Sequence, residues 1–148
     1  MSLIHIKVVS PQRVLVEADV EQLSLPTTMG QITILSGHAP LISDIHSGEL
    51  TYVQQGQVRS IHIAGGVVEV HLHNQVILLA DEAEHPEEID VAQIEAAKLK
   101  AVKALTETVL SDEEYATVAM NLERSLSRLR FVRKHGHRGG MHVQENPS

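Results

Sequence analysis

The chain has 148 residues, enough for one domain or for one small domain with an appendage. It is acidic, with 12 Lys and Arg against 19 Asp and Glu, and nearly free of aromatic side chains, which argues against nucleic acid as a partner because base stacking needs such rings. The lack of cysteine excludes disulfides, a thiolate nucleophile and Cys-ligated zinc, and no apolar run approaches the roughly 18 residues of a membrane span, so direct membrane insertion is not expected.

Residues 1–88 carry the strand signals. "LIHIKVV" opens the chain with alternation around His5 and Lys7, too interrupted for a signal peptide. "RVLVEADVEQLSL" reads as one long strand or two short ones, and "QITIL" follows the turn Thr27–Gly30. "ILSGHAPLISDIHSGEL" then holds His38 and His46 in a loop rich in glycine and turn residues. "ELTYVQ", "VRSIHIA", "VVEVHLH" and "QVILLA" complete the set, separated by Gln55-Gly56, Gly65-Gly66 and His73-Asn74. Short Val- and Ile-rich runs at this spacing, with no helix between them, predict an antiparallel sandwich or barrel.

The pattern changes after Asp81. "DEAEHPEE" reads as a solvated acidic link. Asp90 then caps a helix with Gln93 three residues on, and Val91, Ile94, Ala97, Ala101 and Leu105 mark its apolar face. Thr106–Leu110 breaks the run, and Ser111 with Glu114 forms a second capping box. Tyr115, Val118, Leu122, Leu126 and Leu129 give the stripe of a second helix, so residues 89–134 predict an antiparallel hairpin. Arg124, Arg128, Arg130, Arg133 and Lys134 crowd its last turns, where positive charge suits the helix dipole. Arg124 and Arg128, four apart, share a face. Residues 135–148 have little to bury and are expected to be a disordered tail.

The ten histidines raise the question of metal or catalysis. His71 and His73 would share one face of a strand, and a metal-dependent β-barrel enzyme using His62, His71 or His73 is the alternative function. The spacing from Gly65 matches half of a cupin motif, but Ile77 and Leu78 stand where its glutamate belongs. "DEAEH" resembles a helicase box without the phosphate loop that such a box requires. His38 has neither a nucleophile nor an orienting acid at usable spacing. No catalytic residue and no metal site are expected.

The order of "GHAPL", "IAGGVVEV" and "VILLADEAE" followed by an Ala-rich hairpin resembles the epsilon subunit of F-type ATP synthases, from about Leu3 to Arg133. The resemblance implies that the antiparallel sandwich or barrel is flattened, and that the chain is a non-catalytic rotor subunit, peripheral at the cytoplasmic face of an energy-transducing membrane. It implies contacts with the gamma subunit and the ring of c subunits through Gly30, Gln31, Gly37, His38, Ala39, Pro40 and Leu41. It also implies a hairpin that opposes ATP hydrolysis by reaching the alpha/beta hexamer, with Arg124, Arg128, Arg130, Arg133 and Lys134 as its contacts. The family loop LPG-x-x-G-E-x-G is altered here to Leu25-Pro26-Thr27-Thr28-Met29-Gly30-Gln31-Ile32-Thr33. Some relatives bind ATP through Ile/Leu-Asp-x-x-Arg-Ala and two later arginines. Ile89, Asp90, Arg124 and Arg128 match that set, but Gln93 and Ile94 replace the motif's arginine and alanine. A phosphate site short of one cation keeps little affinity, so no cofactor is expected.

Overall fold

A computed structural model describes the backbone of residues 2–145 and the side chains of residues 2–135. Its contacts divide the chain into two units, Met1–His85 and Pro86–Ser148, slightly ahead of the boundary expected after residue 88.

The first unit is an eight-stranded sandwich. Its strands are β1 (Ile4–Val9), β2 (Val14–Val20), β3 (Gln22–Thr27), β4 (Gly30–Leu35), β5 (Leu41–Asp44), β6 (Gly48–Gln54), β7 (Gln57–His71) and β8 (Gln75–Glu84). They follow the order β2-β1-β8-β7-β6-β3-β4, with β5 on the second half of β7. Alternation decides which side chains face inward. Ile4, Ile6 and Val8 of β1, Ile61 and Ile63 of β7 and Val76 and Leu78 of β8 are all buried in one aliphatic cluster. Each such side chain contributes about 1.5–3 kcal/mol on burial.

Four features depart from the sequence expectation. "VRSIHIA" and "VVEVHLH" form one strand, β7, which pairs with β6 before Gly65-Gly66 and with β5 after it. The glycines bend the strand instead of ending it, at φ values of 68° and 110°. A Cβ on Gly66 would lie 2.0 Å from the Leu79 carbonyl oxygen, so only glycine fits beside β8. Second, β5 lies inside the expected loop. Third, Asp81–Glu84 of the expected acidic link belong to β8, paired with His62, Ile63 and Ala64 at Glu84, Ala83 and Glu82. Fourth, β1 and β8 pair in parallel, from His5↔Gln75 to Val9↔Leu79, inside an otherwise antiparallel sheet. No crossover helix is needed because the rest of the domain makes the connection.

The second unit starts with a 3-10 turn, Pro86–Glu88, followed by α1 (Val91–Glu107) and α2 (Asp112–Glu145). The two helices pack on each other. The Asp90 carboxylate accepts from the Gln93 amide at 3.2 Å, as an N-cap does. Both halves of the Ser111–Glu114 capping box form, at 3.1 and 3.2 Å. The buried face of α1 is narrower than expected: Ile94 and Ala101 are buried and Leu105 half-buried, whereas Val91 and Ala97 are exposed. On α2, Leu129 is buried and Tyr115 exposed, and Phe131 and Val132 extend the buried set. The helical backbone continues through Glu145, into the stretch expected to be a disordered tail. Propagating an established helix adds one hydrogen bond for each residue fixed, so α2 runs on past His135. Residues 146–148 of that tail lie outside the described residues.

Candidate functional site

The loop Gly37–Leu41 leaves β4 through a tight turn. The His38 amide donates to the Leu35 carbonyl at 3.1 Å, and Gly37 occupies the third position at φ 85°, a region most side chains avoid. His38 is half-buried, and its Nδ1–H donates to the Ala39 carbonyl at 2.7 Å. That bond pins the ring to its own loop. Gly37, Ala39 and Pro40 are exposed, and Leu41 is half-buried as the first residue of β5.

The second expected contact region is the β3–β4 turn. Thr27 holds it: its hydroxyl donates to the Gly30 carbonyl at 2.5 Å and accepts from the Met29 amide at 3.2 Å. The Thr28 amide donates to the Asp44 carbonyl, tying the turn to β5. Gly30 and Gln31 are exposed, and Met29 at the tip is 91% exposed. Gly30 begins β4, and Gly37 follows its end. At about 3.3 Å per residue Gly30 and Gly37 lie on the order of 20 Å apart, at opposite ends of one strand, while Leu41 lies three residues before Asp44, which meets the β3–β4 turn.

The histidines of the alternative reading do not share a strand face. His71 ends β7 and bonds Glu69 at 2.9 Å, while His73 sits in the β7–β8 turn at φ 64°. His62 is buried in the middle of β7, its Nδ1 3.7 Å from Glu84 Oε2. The expectation that His71 and His73 line one face is corrected: the strand stops before His73 because the hairpin must turn there. Among the described residues, no group of three or more His, Asp or Glu side chains is placed to hold a metal. A metal-dependent enzyme has no support in this geometry.

In the helical unit Ile89 is half-buried and Asp90 is engaged as the α1 cap. Arg124 and Arg128 are half-buried on α2 and both have partners within the chain. Arg130, Arg133 and Lys134 are exposed. The basic cluster therefore divides into a partly covered pair and an outward set. No described helix is long and apolar enough to cross a membrane.

Sequence reasoning missed two groupings. Asn74 reaches the Gly37 loop: its Oδ1 accepts from the Gly37 amide at 2.8 Å, and its Nδ2 donates to Ser36 Oγ at 3.0 Å. His5 bridges two carboxylates across the β1–β2 pair, Asp19 at 2.9 Å and Glu17 at 3.1 Å. The hydrogen bond to Asp19, then that to Glu17, raises its pKa above the ordinary 6.5. Alternation could have placed His5, Glu17 and Asp19 on one face, but the β1–β2 register could not be read from sequence.

Comparison with known proteins agrees with this geometry. Residues 3–86, the whole sandwich, match the family described as ATP synthase, Delta/Epsilon chain, beta-sandwich domain. A protein of Caldanaerobacter subterraneus subsp. tengcongensis named ATP synthase epsilon chain is 39% identical over 132 residues, 88% of this chain and 94% of the relative. A protein of the same name from Desulfitobacterium hafniense is 40% identical over 128 residues, 86% of this chain and 95% of the relative. Among solved structures, a chain of the Euglena gracilis mitochondrial ATP synthase (OSCP/F1/c-ring, rotational state 1) superposes with a TM-score of 0.74 at 19% identity, covering 86% of this chain and 79% of that one. A chain of the Tetrahymena thermophila mitochondrial ATP synthase central stalk and c-ring gives 0.66 at 12% identity, covering 87% and 96%. At those identities the two structures speak for the fold. The sandwich matches throughout and identity to near full-length relatives continues across the helices, so this chain belongs to the ATP synthase delta/epsilon family, among its epsilon chains.

Proposed function

We propose that the chain is a non-catalytic rotor subunit of an F-type ATP synthase, seated peripherally at the cytoplasmic face of its membrane. It joins gamma to the c ring through the sandwich and restrains ATP hydrolysis through the helical hairpin. The observation that carries this reading is the match to epsilon chains over about nine-tenths of both this chain and its relatives. The separation of the two exposed turns along β4 favours two different contacts. The Gly37–Leu41 loop serves gamma, and the turn around Gly30 and Gln31 serves the c ring.

In the hairpin, the outward Arg130, Arg133 and Lys134 meet acidic surface of the alpha/beta hexamer when the helices leave their packed state. Arg124 and Arg128, like Lys134, do so only on giving up their present partners. A switch of this kind needs only a few kcal/mol between states. ATP has no role in it, because Gln93 removes a cation from the degenerate site of Ile89, Asp90, Arg124 and Arg128.

The test is co-purification of the untagged full chain with the gamma subunit of its own organism. Stoichiometric capture, lost on replacing residues 37–40 by an unrelated sequence, is expected. Failure of the intact chain to bind gamma overturns the assignment.

A further inference from the structure

We propose that Asn74 is the positioning residue of the Gly37–Pro40 loop. It holds the loop in a shape that gamma can use, so the β7–β8 turn is a remote part of that contact. The partner named here rests on the reading above; the geometry within the domain does not.

The β7–β8 connection is Leu72-His73-Asn74, between His71 and Gln75, which pair with each other. His73 and Asn74 both lie in the left-handed region, at φ 64° and 59°. Two such residues in succession make a demand that most side chains meet only with strain. Glycine would meet that demand with least strain, and asparagine is the side chain that tolerates it best. Asn74 also supplies what glycine lacks. Its side chain crosses to a loop 37 residues earlier in the chain.

Each polar atom of Asn74 has a separate task. Oδ1 accepts from the Gly37 amide at 2.8 Å, and Nδ2 donates to Ser36 Oγ at 3.0 Å. The main-chain oxygen accepts from the His5 amide at 2.8 Å, next to β1. The orientation of the amide follows from the network: an amide N–H must meet the oxygen. Without this side chain the described hydrogen bonds at the tip of the loop are both local ones of His38, its amide to Leu35 and its ring to Ala39, and neither ties the loop to another strand. Gly37 is the residue with the most backbone freedom in the loop, so a bond to its amide restricts the loop where it is loosest.

The experiment compares Asn74→Gly and Asn74→Asp in the full chain. Asn74→Gly keeps the left-handed backbone and deletes the side chain. Asn74→Asp keeps an oxygen for the Gly37 amide and loses the donor to Ser36. For Asn74→Gly the expected results are Gly37 amide exchange about tenfold faster, a melting temperature close to wild type and gamma binding weakened about three- to tenfold, as for one lost hydrogen bond. Asn74→Asp is expected to restore most of the Gly37 protection and most of the affinity. Unchanged exchange at Gly37 in Asn74→Gly overturns the positioning role. So does faster exchange throughout the core of β7 and β8, which would make Asn74 a general stabiliser of the domain. Faster exchange confined to the loop with wild-type gamma binding overturns the assignment of the loop to gamma. If Asn74→Gly does not fold, Asn74→Ala, which also removes both side-chain bonds, carries the same readouts, and unchanged exchange at Gly37 in that variant sinks the proposal.

Discussion

His5 shows how one exposed side chain makes the domain sensitive to pH. Its ring bonds Asp19 and Glu17, and its folded pKa lies above the ordinary 6.5. A raised folded pKa means that the contribution is complete below about pH 6.5 and is lost as pH rises through the folded value. The pairs are largely exposed, so the contribution is about 0.2–1 kcal/mol. The melting temperature of wild type is expected to exceed that of His5→Gln at pH 6 and to converge with it at pH 9. A constant difference across that range would show that the carboxylate bonds are not responsible. Gly66 gives a larger effect at the same scale. Alanine there must displace the Leu79 carbonyl from β8 while holding φ near 110°, and both strains act where β7 pairs with β8. Gly66→Ala is expected to cost about 3 kcal/mol or more, measured by urea unfolding of the full chain.

At the scale of elements, the basic end of α2 carries a prediction about regulation. Arg130 and Arg133 are three apart, share a helical face and are both exposed, so they can meet a new partner without losing a described contact. Arg130→Ala with Arg133→Ala is expected to raise ATP hydrolysis by the assembled enzyme at low salt. The difference should shrink at high salt, where such contacts are screened. Equal hydrolysis at low salt, with normal subunit stoichiometry, would make these arginines a solvated face.

The elements also show what was legible in the sequence. Both helix starts were, because Asp90 and Ser111 act locally through residues three positions on. Most strands were, because aliphatic alternation is a local signal. Gly65-Gly66 was read as a break because glycine signals a turn and a strand bend in the same way. β5 escaped notice because Leu41–Asp44 is short and follows Pro40. Asn74 was seen only as a turn residue: its target, Gly37, lies far off in sequence, and no local pattern specifies such a bond. Gly30 and Gly37 were legible as turn residues, but their placement at opposite ends of β4 needed the strand to be seen whole.

For the whole molecule, the contact division after His85 predicts that residues 1–88 fold without the helices. That fragment is expected to show strand-type circular dichroism, cooperative melting and retained binding to gamma. An unfolded fragment would place the boundary elsewhere. The position of β8 has a temporal consequence. In the hydrogen-bonded order, β1 and β2 join the remaining strands only through β8, which is the last strand to be synthesised. The first strand of the chain must wait for the partner that binds Ile6 beside Val76. Closing a loop of that length is slow, and contacts so distant in sequence lower folding rates. On the ribosome β1 therefore keeps one open edge until Glu84 has left the exit tunnel, and until then the β1–β2 hairpin is tied to the other strands only near Glu21, whose amide bonds Val53 of β6. A nascent chain stalled before β8 should leave β1 and β2 protease-sensitive, whereas one stalled within α2 should already protect the entire sandwich.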